Sequence, residues 1–559
     1  MNRRMAILAA LLVVLGGAIG VWGQETAGPE DGAGPSRGGR GGASPGAAAT
    51  QAKPMEPRND SSTTTGVLKP TSGAEVPYTA VAGYMPLKDE QGKLRANVFY
   101  VAYTAGTAPA AATQGRGEAP GSVTTTRPES SAATDANPER PITFCFNGGP
   151  GAASAWLHLG ALGPKRIDIP ADGSAPTAPY RVVDNPYSWL SATDLVFVDP
   201  VNTGYSRAAT PEQAREFFNV TEDIASMGEF IRLYLTKNQR WASPIYLAGE
   251  SYGTTRAAGL SNYLQERLGM GVSGVMLIST VLNFENIQPG EENDIPYALY
   301  LPSYAAIAWY HKKIPNPQGG LDAVLKEAQT FAETDYNTAL IRGTAMSDDD
   351  RNKIAKRLSE LTGLSQDFIL TNNLRIDPSR FEKELLRGKD GTGKVIGRFD
   401  GRISGWPTDP GADSQDYDPS LSGFYTAYTS AFNDYVRHTL KYENDLPYEV
   451  LSNRTQPWNF GSGPNSGGTG FLYVGDDLRN AMTHNPHMRL LVCSGRFDLA
   501  TPYFATDYTI SHMHIAPEIR KNITQAYYAG GHMLYHVQEG LAQLSKDATG
   551  FIAAGSAGH

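Results

Sequence analysis

The stretch Gly249-Glu250-Ser251-Tyr252-Gly253 decides the fold of this chain. It fits the pattern G-x-S-x-G, a sharp strand-to-helix turn that lifts a serine hydroxyl above the edge of a sheet. The run Pro244–Ala248 before it is apolar. The residues after it are apolar at helical spacing, at Ala257, Leu260, Leu264 and Leu268. Strand, tight turn and helix together favour a nucleophile elbow over an ordinary Gly-Ser loop.

Apolar runs typical of buried strands alternate with helical patterns from residue 142 onward. The runs are Ile142–Phe146, Leu195–Val198, Ile245–Ala248, Val275–Ile278 and Leu490–Cys493. One amphipathic helix is predicted from Val220, with Asn219 and Glu222 as the capping pair at its start. This alternation predicts an α/β fold with a mostly parallel central sheet covered on both faces.

The composition divides the 559 residues into segments. Positive charge at Asn2-Arg3-Arg4 and the apolar stretch after it predict a cleaved signal peptide over residues 1–23, with an uncleaved membrane anchor as the alternative. Residues 24–73 are rich in small and polar residues, which predicts a disordered linker. We expect the core over residues 74–282 and 489–559, and an inserted, largely helical cap over residues 283–488. A low-complexity tract over residues 104–140 predicts a long surface loop between neighbouring strands.

Charge and cysteine usage restrict the partners. The net charge of −9 argues against a nucleic-acid partner, because there is no basic field to collect phosphates.

The two cysteines, Cys145 and Cys493, lie in strand-like runs and predict buried thiols rather than a disulfide. Three aspartates at Asp348-Asp349-Asp350 suit the first turn of a helix better than a metal site. The sequence predicts neither a metal nor a cofactor.

A serine nucleophile needs a base within hydrogen-bond reach, and the base needs a group that orients it. In sheet hydrolases the chain order is Ser, then Asp or Glu, then His. Asp498 follows the run that ends at Cys493, and His532 follows the last strand-like run, Gln525–Tyr528, in a Gly-Gly-His turn. We therefore predict Ser251, Asp498 and His532 as a catalytic triad.

A metal-binding alternative involves His536, which follows His532 by four residues, a spacing that suits two ligands on a helix. The pair lacks the glutamate of a zinc-protease motif and an evident third ligand, which disfavours it.

A second glycine-rich turn, Asn147-Gly148-Gly149-Pro150-Gly151, follows the run Ile142–Phe146. Its exposed N–H groups are suited to an oxyanion hole, and we predict that the N–H groups of Gly149 and Tyr252 hold the negative oxygen of a tetrahedral intermediate. The alternative of a phosphate cradle is disfavoured, because the turn lacks the Lys and Ser/Thr ending of a P-loop.

At this point the chain resembles the serine carboxypeptidase family, which are secreted α/β-hydrolases. Six stretches carry the resemblance in order. They are FNGGPGAAS from Phe146, NPYSW from Asn185, DLVFVDPVNTGYS from Asp194, GESYG from Gly249, GRFDLATP from Gly495 and AGGHM from Ala529. The resemblance implies an α/β-hydrolase fold with an inserted cap, the triad and oxyanion donors given above, and substrate contacts from Asn147, Gly148 and Glu250.

Two departures from the family pattern concern the substrate's terminal carboxylate. The family holds that group with a tryptophan, an asparagine and two glutamates. Here Asn147 and Glu250 are present, whereas Ala161 stands at one glutamate position and Cys145 (or Phe146) at the tryptophan position. A carboxylate beside a bound carboxylate must usually be protonated, so the resemblance implies an enzyme that favours acid.

The sequence thus predicts a secreted or periplasmic serine carboxypeptidase that hydrolyses C-terminal peptide bonds through an acyl-enzyme intermediate. Its expected partners are peptides with a free C-terminus, and a membrane only if the N-terminal segment stays uncleaved. An esterase or acyltransferase with the same triad is the first alternative, and a non-catalytic binding module of the same fold is the second. The oligomeric state is left open.

Overall fold

The computed structural model of the chain describes residues 55–106, 137, 139–388, 393–461 and 471–556. The strands in chain order are β1 (Ser61–Leu68), β2 (Val76–Lys88), β3 (Leu94–Ala105), β4 (Ile142–Phe146), β5 (Lys165–Ile167), β6 (Val182–Asp184), β7 (Asp194–Val198), β8 (Arg207–Ala208), β9 (Ile245–Ser251), β10 (Gly274–Thr280), β11 (Val395–Ile396), β12 (Ser404–Gly405), β13 (Arg489–Gly495) and β14 (Ile523–Tyr528). All six strand-like runs named from the sequence, including Gln525–Tyr528, lie inside one of these strands.

The α-helices alternate with the strands and fill the cap region. They are α1 (Ala155–Leu157), α2 (Pro211–Ala214), α3 (Val220–Lys237), α4 (Tyr252–Leu268), α5 (Ile295–Tyr310), α6 (Gly320–Phe331), α7 (Asn337–Arg342), α8 (Asp348–Thr362), α9 (Gln366–Thr371), α10 (Pro378–Glu384), α11 (Pro419–His438), α12 (Gly475–His484), α13 (Tyr503–Ser511), α14 (Pro517–Arg520) and α15 (Gln538–Ser556). The predicted cap of α3 is confirmed, because the Asn219 side chain accepts a hydrogen bond from the N–H of Glu222 at 3.0 Å.

One ten-stranded sheet organises the molecule. Its order is β1-β2-β3-β7-β4-β9-β10-β13-β14, with β8 paired to β3. The pairs from β1 to β7 are antiparallel, and those from β7 to β14 are parallel. The α/β prediction with a mostly parallel central sheet is therefore confirmed, with an antiparallel extension at one side.

The parallel strands β4, β7, β9, β10 and β13 bury both of their faces, as strands covered by helices on each side do, whereas the edge strand β14 is partly exposed. On β9, Tyr246 and Ala248 pack in one hydrophobic cluster, whereas Ile245 and Leu247 pack in the cluster on the opposite face. Successive side chains of a strand point to opposite faces, so each parallel strand serves two cores. The carboxyl ends of the parallel strands consequently meet at a single edge of the sheet.

The linker prediction over residues 24–73 is wrong at its C-terminal end. Residues 61–68 form β1, which pairs in antiparallel register with β2 from Ser61 opposite Gly83 to Leu68 opposite Val76. Five consecutive hydroxylated residues, three of them β-branched, suit a pleated, half-buried surface, and the composition alone concealed that. Residues 24–54 and the signal peptide predicted over residues 1–23 lie outside the described residues.

The predicted loop over residues 104–140 also needs a correction. β3 extends to Ala105, and it is not a neighbour of β4, because β7 lies between them and pairs with both. The predicted surface loop would therefore connect two strands that are separated by β7 in the sheet. Residues 107–136 and 138 lie outside the described residues.

A third hydrophobic cluster belongs to the region between β10 and β13. It is formed by helices α5 to α10 and includes Phe497 and Leu499, which follow β13. A two-stranded hairpin of β11 and β12, with residues 397–403 as its loop, comes from the same region. We refer to residues 395–405 as the cap hairpin. The inserted region is thus packed directly against the segment that carries Asp498.

Cys145 and Cys493 are both buried free thiols, as predicted. Among the described residues, no helix is long and apolar enough to cross a membrane.

Candidate active site

Ser251 stands at the junction of β9 and α4. Its backbone has φ 59° and ψ −131°, a region that residues with a side chain rarely occupy. Such strain persists only where the surrounding structure imposes it, and it is frequent at functional sites. The Ser251 side chain is partly exposed, whereas its neighbours Glu250 and Tyr252 are buried. The turn therefore presents the serine at the carboxyl edge of the sheet, as an elbow does.

The two glycines of the elbow are required by close backbone packing. A Cβ at Gly249 would lie 2.1 Å from the carbonyl oxygen of Gly253, and a Cβ at Gly253 would lie 2.5 Å from the carbonyl oxygen of Phe146. Any side chain at either position would displace the turn or the neighbouring strand β4. The glycine spacing of the elbow therefore has a steric cause in this fold.

The turn after β4 lies against the elbow. A Cβ at Gly148 would lie 2.4 Å from the backbone nitrogen of Tyr252. Gly149 has φ 100°, a left-handed conformation that favours glycine. No hydrogen bond from the N–H of Gly149 was found among the described residues, and the N–H of Tyr252 belongs to the first turn of α4, which has no intrahelical acceptor. Both predicted oxyanion donors are thus available for a ligand.

A buried ion pair fixes this turn from below. The Arg256 guanidinium, on α4, donates to the carbonyl oxygen of Asn147 at 2.7 Å and to the Asp223 carboxylate, on α3, at 2.9 Å. The Tyr252 hydroxyl donates to the same Asp223 oxygen at 3.1 Å. Arg256 and Asp223 are almost fully buried. The network links the carbonyl group of Asn147 to the side chain of Tyr252. It therefore holds together the two turns that carry the candidate oxyanion donors.

Asp498 lies in the loop after β13 and is fully buried. Its Oδ1 accepts from the backbone N–H groups of Ala500 at 2.7 Å and Thr501 at 2.9 Å, and its Oδ2 accepts from the Thr501 hydroxyl at 2.7 Å. These donors leave the carboxylate a single orientation. Oδ2 also lies 2.8 Å from Nδ1 of His532, so the structure brings together the predicted acid and base.

The His532 ring is held from several sides. Its Nδ1 faces Asp498, and the hydroxyl oxygen of Thr501 lies 3.1 Å from the same nitrogen. Its backbone carbonyl accepts from the Ser279 hydroxyl at 2.5 Å. Burial lowers the pKa of His532, but the charge of Asp498 and the hydrogen bond to it outweigh burial, so the pKa of His532 lies above its ordinary value. An imidazole oriented through Nδ1 presents Nε2 as the basic nitrogen.

The cap hairpin contacts both loops. The Phe399 ring stacks on the His532 ring with centroids 4.8 Å apart, and the Phe399 carbonyl accepts from the N–H of His532 at 2.5 Å. The N–H of Leu499 donates to the carbonyl of Arg398 at 3.0 Å. A Cβ at Gly531 would lie 2.2 Å from the Phe399 carbonyl oxygen, so the glycine before His532 is needed for this contact.

Glu250 is buried beside Ser251. Its Oε2 accepts from the Asn147 amide at 2.5 Å and from the Tyr535 hydroxyl at 2.8 Å, and no hydrogen bond to Oε1 occurs within the described ranges. Burial raises the pKa of Glu250 to about 7, although the charge of His532 and the two donors lower it. A carboxyl group with this pKa is largely protonated in mild acid, where Oε1 or Oε2 can donate to a bound anion.

Ala161 is fully buried and brings no polar side chain to this network. The carbonyls of Ala161 and Gly163 both accept from the Asn185 amide, at 2.6 and 2.8 Å. A Cβ at Gly160 would lie 2.5 Å from the Tyr535 ring, so Tyr535 packs directly over this segment. The position that holds a glutamate in the family is therefore apolar here, and a tyrosine from the His532 loop supplies the second donor to Glu250.

His536, the second histidine of the metal-binding alternative, lies in a different environment. It stacks on Phe424, its Nε2 lies 3.0 Å from the Tyr428 hydroxyl, and burial lowers its pKa to about 3. Within the described ranges, no group of three or more His, Cys, Asp or Glu side chains is arranged to hold a metal ion. His536 is thus a neutral, packed side chain.

Several residues of the site were missed by sequence reasoning. Two of them could have been found from the sequence. Thr501 lies inside the stretch GRFDLATP that carries the family resemblance, and Arg256 is a charged residue on an otherwise apolar helix face. Phe399 and Tyr535 could not have been found from the sequence, because their contacts depend on how the cap hairpin and the His532 loop fold.

Comparison with known proteins gives the following matches. Residues 130–314 match the family model described as serine carboxypeptidase. The pheromone-processing carboxypeptidase KEX1 of Yarrowia lipolytica is 33% identical over 142 residues, which cover 25% of this chain and 21% of that protein. Carboxypeptidase Y homolog A of Paracoccidioides lutzii is 26% identical over 178 residues, which cover 32% and 28%. The chain therefore spans less than a third of the length of these curated relatives.

A solved structure extends the comparison of the fold. The crystal structure of Kex1(delta)p, a prohormone-processing carboxypeptidase from Saccharomyces cerevisiae, superposes with a TM-score of 0.50 at 16% identity and covers 86% of this chain and 91% of that one. The resemblance to the serine carboxypeptidase family is thereby confirmed, and the fold of this chain is that of an α/β-hydrolase.

Proposed function

We propose that the chain is an exported serine carboxypeptidase that releases C-terminal residues from peptides through a Ser251–His532–Asp498 triad. The hydrogen bond of 2.8 Å between His532 Nδ1 and Asp498 Oδ2 carries the proposal, because it joins two loops at the sheet edge where Ser251 emerges. β9, β13 and β14 are parallel and end at this edge, with β10 between β9 and β13. The match over residues 130–314 supports the choice of reaction.

The mechanism follows from the roles of these groups. His532 Nε2 takes the proton of the Ser251 hydroxyl as its oxygen attacks the scissile carbonyl. Asp498 holds the tautomer and stabilises the imidazolium that forms. The N–H groups of Gly149 and Tyr252 bind the oxyanion, and one such donor is worth about a hundredfold to a thousandfold in rate.

The second half of the reaction reverses these roles. The imidazolium of His532 protonates the leaving amine, and the acyl group stays on Ser251. Water, deprotonated by the same nitrogen, then releases the acyl group and restores the serine. In this proposal the leaving amine belongs to the C-terminal residue, whose carboxylate is bound by Asn147, the backbone of Gly148 and protonated Glu250.

Labelling by a fluorophosphonate tests the chemistry. We expect the full chain to be labelled and the Ser251→Ala variant to remain unlabelled. Ser62→Ala is a matched control, because Ser62 lies in β1, where its hydroxyl donates to the carbonyl oxygen of Leu440. Persistent labelling of Ser251→Ala, or none of the wild type, would contradict the triad.

A blocked dipeptide and its C-terminal amide test the substrate class. A carboxypeptidase with Glu250 as donor should cleave the free acid faster than the amide. Equal rates, or faster cleavage of the amide, would remove the exopeptidase assignment while leaving serine hydrolase chemistry in place.

An esterase or acyltransferase is the second candidate, and a specific observation favours it. Ala161 has a buried, apolar side chain where the family has a glutamate, so the carboxylate site has lost one donor. If small esters are hydrolysed, or acyl groups transferred, at rates well above those on any peptide acid, this candidate replaces the first.

Export follows from the N-terminal pattern alone, and we propose it on that basis. N-terminal sequencing of the protein secreted by its native host would show a chain that begins near Gln24; a chain that retains Met1 would contradict cleavage.

A further inference from the structure

The hairpin that contacts the candidate base carries a positively charged side chain that has no counter-ion among the described residues. Arg398 belongs to the cap hairpin and is exposed. No carboxylate lies within ion-pair distance of its guanidinium in the part of the chain that the structure describes, where most other arginines of the cap region are paired. An exposed arginine fixed beside a reactive centre and left unpaired is suited to bind an anion.

The backbone of Arg398 is firmly positioned. Its N–H donates to the Asp418 carboxylate at 3.2 Å, and its carbonyl accepts from the N–H of Leu499, the residue after Asp498. The next residue, Phe399, stacks on His532. The Arg398 guanidinium carbon lies 5.7 Å from the centroid of the Phe399 ring, so cation, phenyl ring and imidazole form a connected group.

The electrostatics agree with this placement. The charge of Arg398 is among the influences that lower the pKa of His532, and it also acts on Glu382, Asp418 and Tyr300. Burial raises the pKa of Glu382 well above its ordinary value and also raises that of Asp418. The nearby carboxyl groups therefore neutralise Arg398 only partly.

The position of Arg398 decides which part of a substrate it meets. His532 delivers its proton to the leaving amine, so the leaving residue lies on the side of the imidazole. The α-carboxylate of that residue is assigned to Asn147 and Glu250, which adjoin Ser251. An anion near Arg398 is then a second negative group of the leaving residue, and the side chain of Asp or Glu is that group.

We propose that Arg398 is a specificity-determining residue that selects an acidic side chain on the C-terminal residue to be released. This inference rests on the carboxypeptidase function proposed above. Peptides ending in Glu or Asp are the preferred substrates, and the planar guanidinium binds their side-chain carboxylate.

Three blocked dipeptides that differ only in a final Glu, Gln or Leu test the proposal. The wild type should show kcat/KM for Glu above that for Gln by roughly two- to fivefold, the range of an exposed ion pair. In Arg398→Gln the ratio should fall to about one, while the rate on the Gln substrate persists. Arg398→Glu should prefer a final Lys.

Arg520→Gln is the matched control, because Arg520 is an exposed arginine on α14. It should keep the wild-type ratio.

The outcomes separate the two proposals. Equal rates on Glu and Gln in the wild type, or an unchanged ratio in Arg398→Gln, would overturn the role of Arg398 and leave the carboxypeptidase intact. An equal loss on all three acids in Arg398→Gln would overturn it too, since Arg398 would then bind the α-carboxylate. If no dipeptide is cleaved although Ser251 is labelled, the carboxypeptidase proposal and this one both fail.

Discussion

The ring of Phe399 lies on the imidazole of His532 with an angle of 20° between their planes, and the same two residues share a backbone hydrogen bond. One residue of the inserted region thus supports the candidate base at two points. A base must stay within hydrogen-bond reach of the proton it takes, so its support is part of the reaction geometry.

We expect Phe399→Ala to lower kcat by about ten- to a hundredfold with little change in KM, because the imidazole loses the surface that fixes its orientation. Phe399→Tyr keeps the ring and should restore most of the rate. Steady-state kinetics on one peptide, with thermal unfolding as a check of the fold, would decide the matter. A loss confined to KM, or no rescue by tyrosine, would argue against a positioning role.

Removal of the buried arginine should affect stability and rate separately. Arg256→Ala leaves Asp223 buried without its partner, which costs about 3–5 kcal/mol of unfolding free energy. The double variant Asp223→Ala/Arg256→Ala removes the uncompensated charge and should recover part of that loss in urea titrations. Its kcat should stay low, because the Asn147 carbonyl still lacks its donor and the oxyanion turn is loosened. Recovery of kcat together with stability would show that the pair is only structural.

Glu250 should produce an alkaline limit on peptide cleavage. Its pKa of about 7 keeps it protonated in acid, where it donates to the substrate carboxylate; as pH rises through about 7 it becomes an anion that repels that carboxylate. We therefore expect KM for a free acid to increase above pH 7 while KM for the corresponding amide stays level. Glu250→Gln should abolish this increase. The loss of activity at low pH, which is set by His532, should persist in the variant. If KM depends on pH in the same way in Glu250→Gln as in the wild type, the assignment of Glu250 is contradicted.

Asp199 should make stability depend on pH. It is buried after β7, where its Oδ1 accepts from the N–H of Ser154 at 3.0 Å and from the Tyr448 hydroxyl at 3.2 Å. Burial raises its pKa to about 7. The pKa of an aspartate in the unfolded chain is about 4. Between about pH 4 and pH 7 the folded state therefore binds more protons than the unfolded state, so the unfolding free energy falls as pH rises across that interval.

Asp199→Asn retains the acceptor without the charge. We expect the variant to lose this pH-dependent decline and to exceed the wild type in unfolding free energy above pH 7, by an amount of the order of 1–3 kcal/mol. Urea unfolding at pH 5 and pH 8 measures the difference. The same pH slope in both proteins would show that Asp199 is charged in the folded state.

The sequence predicted β4, β7, β9, β10 and β13 because each of these strands is buried on both faces and leaves a continuous apolar run. It failed at β1, where a polar strand pairs at the edge and alternates between exposed and half-buried side chains. That segment forms a strand because it pairs with β2, and the local composition does not predict which strand a segment pairs with.

The site shows the same division. Ser251, Asp498 and His532 were singled out because motif and chain order constrain them, and the structure joins the latter two. Phe399 and Arg398 belong to a hairpin whose two strands have only two residues each, too short for any periodic signal. Their importance comes from where that hairpin docks, which tertiary packing alone determines.

The docking of the cap hairpin has a consequence for protein engineering. Two backbone hydrogen bonds join this hairpin to the Asp498 loop: the N–H of Leu499 donates to the carbonyl of Arg398, and the N–H of Gly401 donates to the carbonyl of Phe497. The Arg402 guanidinium also donates to the carbonyl of Ala529 at 2.7 Å. A chimera that replaces the whole insertion with that of a relative would remove supports of the acid and the base together with the substrate pocket. Grafts designed to change selectivity should therefore retain residues 397–402 and exchange the helices around them.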